Sequence, residues 1–179
     1  MLCAAVLSST PNLQAQESEV RNEPEVKHIV LVHGAWADGS GWRGVYNNLV
    51  RRGFNVSIVQ EPETFFQDDV TAVKRILALQ DGPSILVAQS YGGSVVTEAG
   101  TDPSVVGLVY VAGHMPDAGE SEHEEGTLFP SDLSKSTVMT TTADGFTFLD
   151  PTQFHDFFAA DGLLSRLPLC LDPGYSTQL

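Results

Sequence analysis

The chain has 179 residues, of which 42% are hydrophobic, a composition typical of one folded domain. Its 9 Lys and Arg residues are outnumbered by 23 Asp and Glu residues, for a formal net charge of -14. Because nucleic acids and anionic membranes are bound by basic surfaces, this charge excludes a general nucleic-acid binder and argues against membrane docking. The two cysteines, Cys3 and Cys170, provide neither a metal-binding spacing nor a disulfide framework.

Residues 1–26 are set apart from the predicted fold as a leader or a disordered N-terminus. The short apolar run from Leu2 to Leu7 is similar to the back half of a secretory signal, but the positively charged front is missing. An exported protein (periplasmic or secreted) and a cytoplasmic protein are therefore equally compatible with the sequence. No apolar stretch reaches the ~18 residues that a transmembrane helix requires.

Strands alternate with helices through residues 27–114, the predicted core. The predicted strands are His28–Val32, Phe54–Val59, Ser84–Ala88 and Val105–Ala112. The predicted helices run from about Gly41 to Arg52, from Asp68-Asp69 to the break at Asp81-Gly82-Pro83, and from Tyr91 to Ala99. The first strand is continuously apolar, which is typical of a strand buried on both faces. This alternation predicts right-handed βαβ units and an α/β fold with a parallel sheet and flanking helices.

The pattern changes after Gly113, and residues 115–161 are predicted to form a cap inserted after the fourth strand. Residues 137–149 alternate around Asp144-Gly145, which indicates a β-hairpin. Asp150 and Pro151 are expected to begin a helix as its N-cap and first residue. That helix would place three aromatic side chains on one face: Phe154, Phe157 and Phe158. Residues 162–179 show no clear period and are predicted to be an atypical tail.

A nucleophile-elbow pattern lies between the third strand and the third helix, where the sequence reads Val87-Ala88-Gln89-Ser90-Tyr91-Gly92-Gly93. It is G-x-S-x-G with alanine at the first position. A serine on such a strained turn projects its hydroxyl beyond the sheet, and the residues two before and two after it, Ala88 and Gly92, must be small. The turn also directs the backbone N–H of Tyr91 to where it can stabilise an oxyanion. An ordinary surface serine remains the competing interpretation.

A second motif, His33-Gly34-Ala35-Trp36, follows the first strand. In an elbow-type site the other oxyanion donor comes from the loop after that strand, which makes Ala35 N–H the candidate. His33 is expected to brace the loop rather than act as the general base, because the triad His follows the serine in chain order.

Together with Leu108–Asp117 (LVYVAGHMPD), the two motifs resemble the α/β-hydrolase superfamily, in particular its compact esterase branch of plant methylesterases and hydroxynitrile lyases. The resemblance covers roughly residues 27–160. It implies Ser90 as the nucleophile, Ala35 and Tyr91 as the oxyanion hole, and an elbow that includes Gln89. It implies a pocket lined by Trp36, His114, Met115 and Phe154.

The resemblance also implies a small-molecule ester substrate and neither a cofactor nor a metal. Further phenylalanines in the cap, Phe129, Phe146 and Phe148, favour a small, uncharged and partly hydrophobic substrate.

The chain departs from the family pattern after Gly113, where too few residues remain for the cap and two further βα units. The family's usual acid and His are therefore expected to be missing from a C-terminally truncated fold, leaving very weak hydrolysis. His114 is the best substitute base, although a pocket-wall role is the commoner one for such a residue. The strand Val105–Ala112 would then form an exposed apolar edge that favours self-association.

Two other functions stay open, because a fold does not determine a function. One is a non-catalytic module that binds a small molecule in the same pocket, and a Ser90→Ala change that leaves ligand affinity unaltered would favour it. The other is a lyase of the same fold, which activity on cyanohydrins but not on esters would favour.

Overall fold

A computed structural model describes residues 25–117, 120, 130–160 and 177–178 of the chain. Residues 28–111 form a parallel sheet with helices on both faces, so the predicted α/β class is confirmed. The strands are β1 (His28–Val32), β2 (Asn55–Ile58), β3 (Ser84–Gln89) and β4 (Val105–Val111). The helices are α1 (Arg43–Arg51), α2 (Phe66–Leu77) and α3 (Gly92–Ala99), with a short 3-10 helix at Gly39–Trp42.

The order of the four strands is β2-β1-β3-β4, with every neighbouring pair parallel. The chain leaves β1 through α1 to reach β2 on one side, and α2 then returns it across β1 to β3 on the other side. The loops that follow β1 and β3 therefore lead in opposite directions. Such a reversal opens a crevice at the carboxyl ends of the two strands, which is where open α/β sheets bind ligands.

Two apolar layers hold the helices on the sheet. On one face, α2 and α3 pack against β1 and β3 through Val70, Val73, Leu77, Val95, Val96, Val30, Val32 and Leu86. On the other face, Trp42 and the partly buried Leu49 of α1 pack with Ile29 and Leu31. Full burial of one such aliphatic side chain contributes about 1.5–3 kcal/mol, so these layers fix the sheet on which the site is built.

The ends of α1 show which local signals the sequence carries. The helix ends at Arg51, and Gly53 takes φ +90°, as the basic residues and the glycine predict. It begins two residues later than the predicted Gly41. The carboxylate of Asp38 accepts a hydrogen bond from Ser40 N–H at 2.7 Å, and this cap starts a 3-10 turn before the α-helix.

Residues 130–160 form a smaller antiparallel unit. It contains α4 (Asp132–Lys135), β5 (Met139–Thr141), β6 (Phe146–Leu149) and α5 (Phe154–Phe158). The predicted hairpin is confirmed, with Gly145 at φ +93° in its turn. A short strand β7 (Thr177–Gln178) pairs with β6. The sequence did not predict β7, because two residues are too few to show an alternating pattern.

The helix predicted to begin at Asp150 and Pro151 begins instead at Phe154. The carboxylate of Asp150 accepts hydrogen bonds from Thr152 N–H at 2.8 Å and from Gln153 Nε2 at 2.9 Å, which closes a turn ahead of the helix.

The three phenylalanines predicted to share a face lie at i, i+3 and i+4 of α5, and residues at this spacing are neighbours on one side of a helix. Phe154 is buried and contacts Phe158, whereas Phe157 is 43% exposed at the border of that face.

Much of the N-terminal segment, of residues 118–129 and of the tail lies outside the described residues, so the predicted boundaries at 26, 114 and 161 stay predictions. Phe129 also lies outside them. Among the helices that the structure describes, none is long and apolar enough to cross a membrane.

Candidate active site

Ser90 occupies the sharp turn between β3 and α3. Its φ is +51°, in the left-handed region that a residue with a β-carbon rarely adopts. Its carbonyl oxygen accepts hydrogen bonds from Gly93 N–H at 2.9 Å and from His114 N–H at 3.1 Å. The helix and the loop after β4 thus hold the turn from two sides, in the strained form that the elbow pattern predicts.

The loop after β1 packs directly against this turn. A β-carbon on Gly34 would lie 2.8 Å from the Ser90 β-carbon, and one on Gly92 would collide with the carbonyl oxygen of His33. Glycine is therefore required at both positions. The atoms nearest to a β-carbon on Gly92 belong to His33 and Val32 rather than to Ala88, the other small residue of the elbow pattern.

The two candidate oxyanion donors belong to two segments that meet at Ser90. Tyr91 follows it in the chain and is the N-cap of α3, where the helix dipole favours negative charge. Ala35 follows Gly34, which touches Ser90, and both Ala35 and Tyr91 are at least 95% buried. Their role as donors stays a prediction.

Residues with strained backbone follow the carboxyl ends of the four parallel strands. Within the described residues, the non-glycine residues with positive φ are Trp36, Glu63, Ser90 and Ala112. They follow β1, β2, β3 and β4 respectively, so each strand leads into one of them. Each such conformation costs on the order of 1–3 kcal/mol, and clustered strain of this kind is typical of functional sites.

A buried polar network meets the elbow at Tyr91. It consists of His33, Glu61, Glu63, Asp69 and the Tyr91 hydroxyl. Tyr91 Oη donates to Asp69 Oδ2 at 2.7 Å, and Glu63 N–H donates to Asp69 Oδ1 at 2.8 Å. Nδ1 of His33 lies 3.3 Å from Glu61 Oε2 and 3.4 Å from Glu63 Oε1. This network connects the loop after β1, the segment after β2, the first turn of α2 and the elbow.

Both ring nitrogens of His33 are engaged within this network. Nε2 accepts a hydrogen bond from Glu61 N–H at 3.2 Å, so in the neutral ring the proton is on Nδ1, which lies 3.1 Å from the Gly34 carbonyl oxygen. His33 therefore braces the loop, as predicted, and is not placed to act as a base on Ser90.

Burial shifts the titration of the network. It raises the pKa of Glu61 to about 8, with the charge of His33 opposing and the charge of Asp69 reinforcing this shift. Burial also raises the pKa of Asp69 against the hydrogen bonds from Tyr91 and Glu63. Burial lowers the pKa of His33, but the hydrogen bond to Glu63 and the charge of Glu61 outweigh it and leave that pKa raised. The coupled groups thus retain protons to higher pH than they would in water.

This network was not predicted from the sequence. Asp69 was placed only at the start of the second predicted helix, and in the structure it is 1% exposed. A signal in the sequence was the pair of acids in Glu61-Pro62-Glu63, which begins two residues after the predicted strand Phe54–Val59. The carboxyl ends of parallel strands meet at one end of the sheet, so these acids were candidates for the site.

The hairpin and α5 lie beside the loop after β1. Trp36 Nε1–H donates to Thr147 Oγ1 at 2.9 Å, and the Trp36 ring meets Phe158 edge-on with the centroids 6.1 Å apart. Phe158 in turn contacts Phe154, with the ring centroids 4.9 Å apart. Trp36, Phe154 and Phe158 therefore form an aromatic cluster at the loop after β1.

The other predicted pocket residues lie on the loop after β4. His114 contacts the elbow through its backbone, and Met115 is 68% exposed. Their place in a pocket stays a prediction. In the part of the chain that the structure describes, no group of three or more His, Cys, Asp or Glu residues is arranged to hold a metal ion.

Comparisons with known proteins agree with this architecture. A model of the alpha/beta hydrolase family matches residues 29–177. Norfluorocurarine synthase 2 from Strychnos sp is 33% identical over 56% of this chain and 43% of its own length. A pyrethroid hydrolase from Sphingobium faniae JZ-2 superposes with a TM-score of 0.64 at 23% identity, covering 76% of this chain and 62% of that one. For polyneuridine aldehyde esterase the TM-score is 0.68 at 20% identity, covering 82% and 67% respectively. The chain thus spans less than half of the Strychnos relative and less than two thirds of the pyrethroid hydrolase.

Proposed function

The chain belongs to the α/β-hydrolase family, and from that premise we propose that it is a serine hydrolase acting on carboxylic esters of small, partly hydrophobic molecules. The observation that carries the proposal is the conformation of Ser90. A serine held at φ +51° lies where the loops after β1 and β3 diverge, with Gly34 packed on its β-carbon. Two of the similar solved proteins are by name a hydrolase and an esterase.

In the proposed reaction, Ser90 Oγ attacks the ester carbonyl carbon while its proton passes to a general base. The N–H groups of Ala35 and Tyr91 stabilise the resulting oxyanion, and its collapse breaks the C–O bond while the base returns its proton to the leaving oxygen, which departs as the alcohol. Water then hydrolyses the acyl-serine by the same steps. His114 is the first candidate for the base, because it follows β4, the strand beside β3, and its backbone N–H donates to the Ser90 carbonyl oxygen.

The substrate preference is inferred from the surroundings of the elbow. The aromatic cluster includes Trp36 of the loop that packs on the elbow, and β6, which contacts Trp36 through Thr147, carries the half-buried Phe146 and Phe148. This environment favours a partly hydrophobic acyl or alcohol group. The net charge of -14 disfavours anionic esters, although salt screens this effect beyond ~8 Å at physiological ionic strength.

A fluorophosphonate probe with intact-mass detection tests the proposal. Such probes phosphonylate activated serines, so we expect one adduct on the wild-type chain and none on Ser90→Ala. Ser94→Ala is the matched control, because Ser94 lies four residues further along the chain, on α3, and this variant is expected to leave labelling unchanged. A His114→Ala variant that labels at the wild-type rate would exclude His114 as the base.

A folded wild-type chain without an adduct would contradict the proposal. Ligand binding that survives Ser90→Ala would then support a non-catalytic binding module. Cleavage of cyanohydrins without ester hydrolysis would instead support a lyase.

A further inference from the structure

Asp69 is a buried carboxylate that the proposed reaction does not use directly. It lies in the first turn of α2 and is 1% exposed. Its two oxygens have different partners, since Oδ2 accepts from the Tyr91 hydroxyl at 2.7 Å and Oδ1 accepts from Glu63 N–H at 2.8 Å. The first of these partners is the side chain of the residue whose backbone N–H is a candidate oxyanion donor.

The second partner leads to the other candidate donor. Glu63 Oε1 lies 3.4 Å from Nδ1 of His33, and that nitrogen lies 3.1 Å from the carbonyl oxygen of Gly34. Gly34 immediately precedes Ala35 and packs on Ser90. Asp69 is therefore the point at which one chain of polar contacts reaches both segments that would bind the oxyanion.

We propose that Asp69 is a positioning residue that sets the relative placement of the two oxyanion-binding segments, Gly34-Ala35 and Ser90-Tyr91. The inference rests on the proposed function, because it names the residue that would position the two oxyanion-binding segments of the proposed active site. Asp69 acts through Tyr91 and Glu63. Hydrogen bonds to a carboxylate are shorter and stronger than those between neutral groups, so they suit this task.

Stability alone does not account for a carboxylate at this position. Burying a charged group costs several kcal/mol, and well-packed apolar residues often replace buried polar groups without loss of stability. The geometry of an oxyanion hole, in contrast, is sensitive to displacement, and a shift of 1 Å can cost about 100-fold in rate.

The test uses Tyr91→Phe, Asp69→Asn and the double variant in an activated-ester assay, with p-nitrophenyl acetate as the substrate. Tyr91→Phe removes the hydroxyl and keeps the backbone N–H. We expect kcat to fall about 10- to 100-fold in each single variant while KM changes less than about threefold. The double variant should be no slower than the slower single variant, because both changes remove the same hydrogen bond from a hydroxyl to a carboxylate.

Asp68→Asn is the matched control. Asp68 is the preceding residue on α2, is exposed, and carries the same charge. The control should keep the wild-type kcat. An active wild type with unchanged kcat in both Asp69→Asn and Tyr91→Phe would overturn the inference, as would single-variant losses that multiply in the double variant.

Hydrogen exchange followed by mass spectrometry separates this inference from the proposed function. We expect faster exchange in peptides covering residues 33–36 and 90–93 for Asp69→Asn and Tyr91→Phe, but not for Asp68→Asn. If the wild type neither hydrolyses the ester nor labels with the probe, the proposed function fails. Faster exchange would still support the positioning role in that case, and unchanged exchange would overturn it.

Discussion

At the residue scale, the candidate site depends on close approach between backbones. Ser90 takes up the space that a β-carbon on Gly34 would need, and the His33 carbonyl oxygen takes up the space that one on Gly92 would need. Such contacts leave no room for a β-carbon, so the loop after β1 and the elbow fit together in one arrangement. The placement of Ala35 relative to Ser90 follows from that arrangement.

Gly92→Ala should separate these two segments. Its β-carbon would collide with the His33 carbonyl oxygen, a backbone atom that cannot rotate away. We expect a loss of about 1–3 kcal/mol in the free energy of unfolding and loss of probe labelling at Ser90, measured by chemical denaturation and intact mass.

Gly44→Ala is the control for Gly92→Ala. Gly44 lies on the exposed α1, and a β-carbon there would meet no atom within 4 Å. This variant should be more stable by about 0.5–1 kcal/mol, because alanine is the better helix former, and it should label normally. Equal stability of Gly92→Ala and Gly44→Ala would show that the close contact between Gly92 and the His33 carbonyl does not constrain the site.

At the element scale, β4 differs from the other strands of the parallel sheet. Within the described residues it pairs only with β3, and it carries four exposed apolar side chains: Val106, Leu108, Val109 and Val111. An apolar strand with one open edge is prone to pair with another chain. Self-association through β4 therefore stays a prediction for this chain.

Val109→Lys should reduce that self-association. Val109 lies in the middle of β4 and is 44% exposed, and a lysine on an edge strand opposes pairing because it brings charge to the new interface. We expect sedimentation velocity to show concentration-dependent oligomers for the wild type and fewer for the variant. Leu79→Lys is the control, because Leu79 is 77% exposed but lies outside β4. A wild type that stays monomeric at all concentrations would contradict the prediction.

At the scale of the whole molecule, the buried polar network makes stability depend on pH. Glu61 has a pKa of about 8 in the folded chain against an ordinary 4.5, because burial disfavours its charged form. The folded state therefore holds a proton that the unfolded state releases between these values. The raised pKa values of His33 and Asp69 act with the same sign.

We expect the free energy of unfolding to fall as pH rises from about 4.5 to 8, with a slope of at most about 1.4 kcal/mol per pH unit for each group. Glu61→Gln keeps the neutral form at every pH. It should flatten this dependence and be more stable than the wild type at high pH, as measured by denaturation across the range. Glu98 is exposed on α3, and Glu98→Gln removes the same charge. This control should leave the dependence of the unfolding free energy on pH unaltered. Parallel pH curves for Glu61→Gln and the wild type would contradict the assignment of the shift to Glu61.

The sequence by itself determined the alternating strands and helices, the hairpin at Asp144-Gly145 and the elbow around Ser90. These features are local, since periodicity, turn residues and small residues at short spacing show them directly. Only the tertiary structure decided the strand order, which places the loops after β1 and β3 side by side. It also decided the environment of Asp69. An acidic residue at a helix start has the same sequence pattern whether solvent or a tyrosine covers it, and its burial arises only when distant segments pack together.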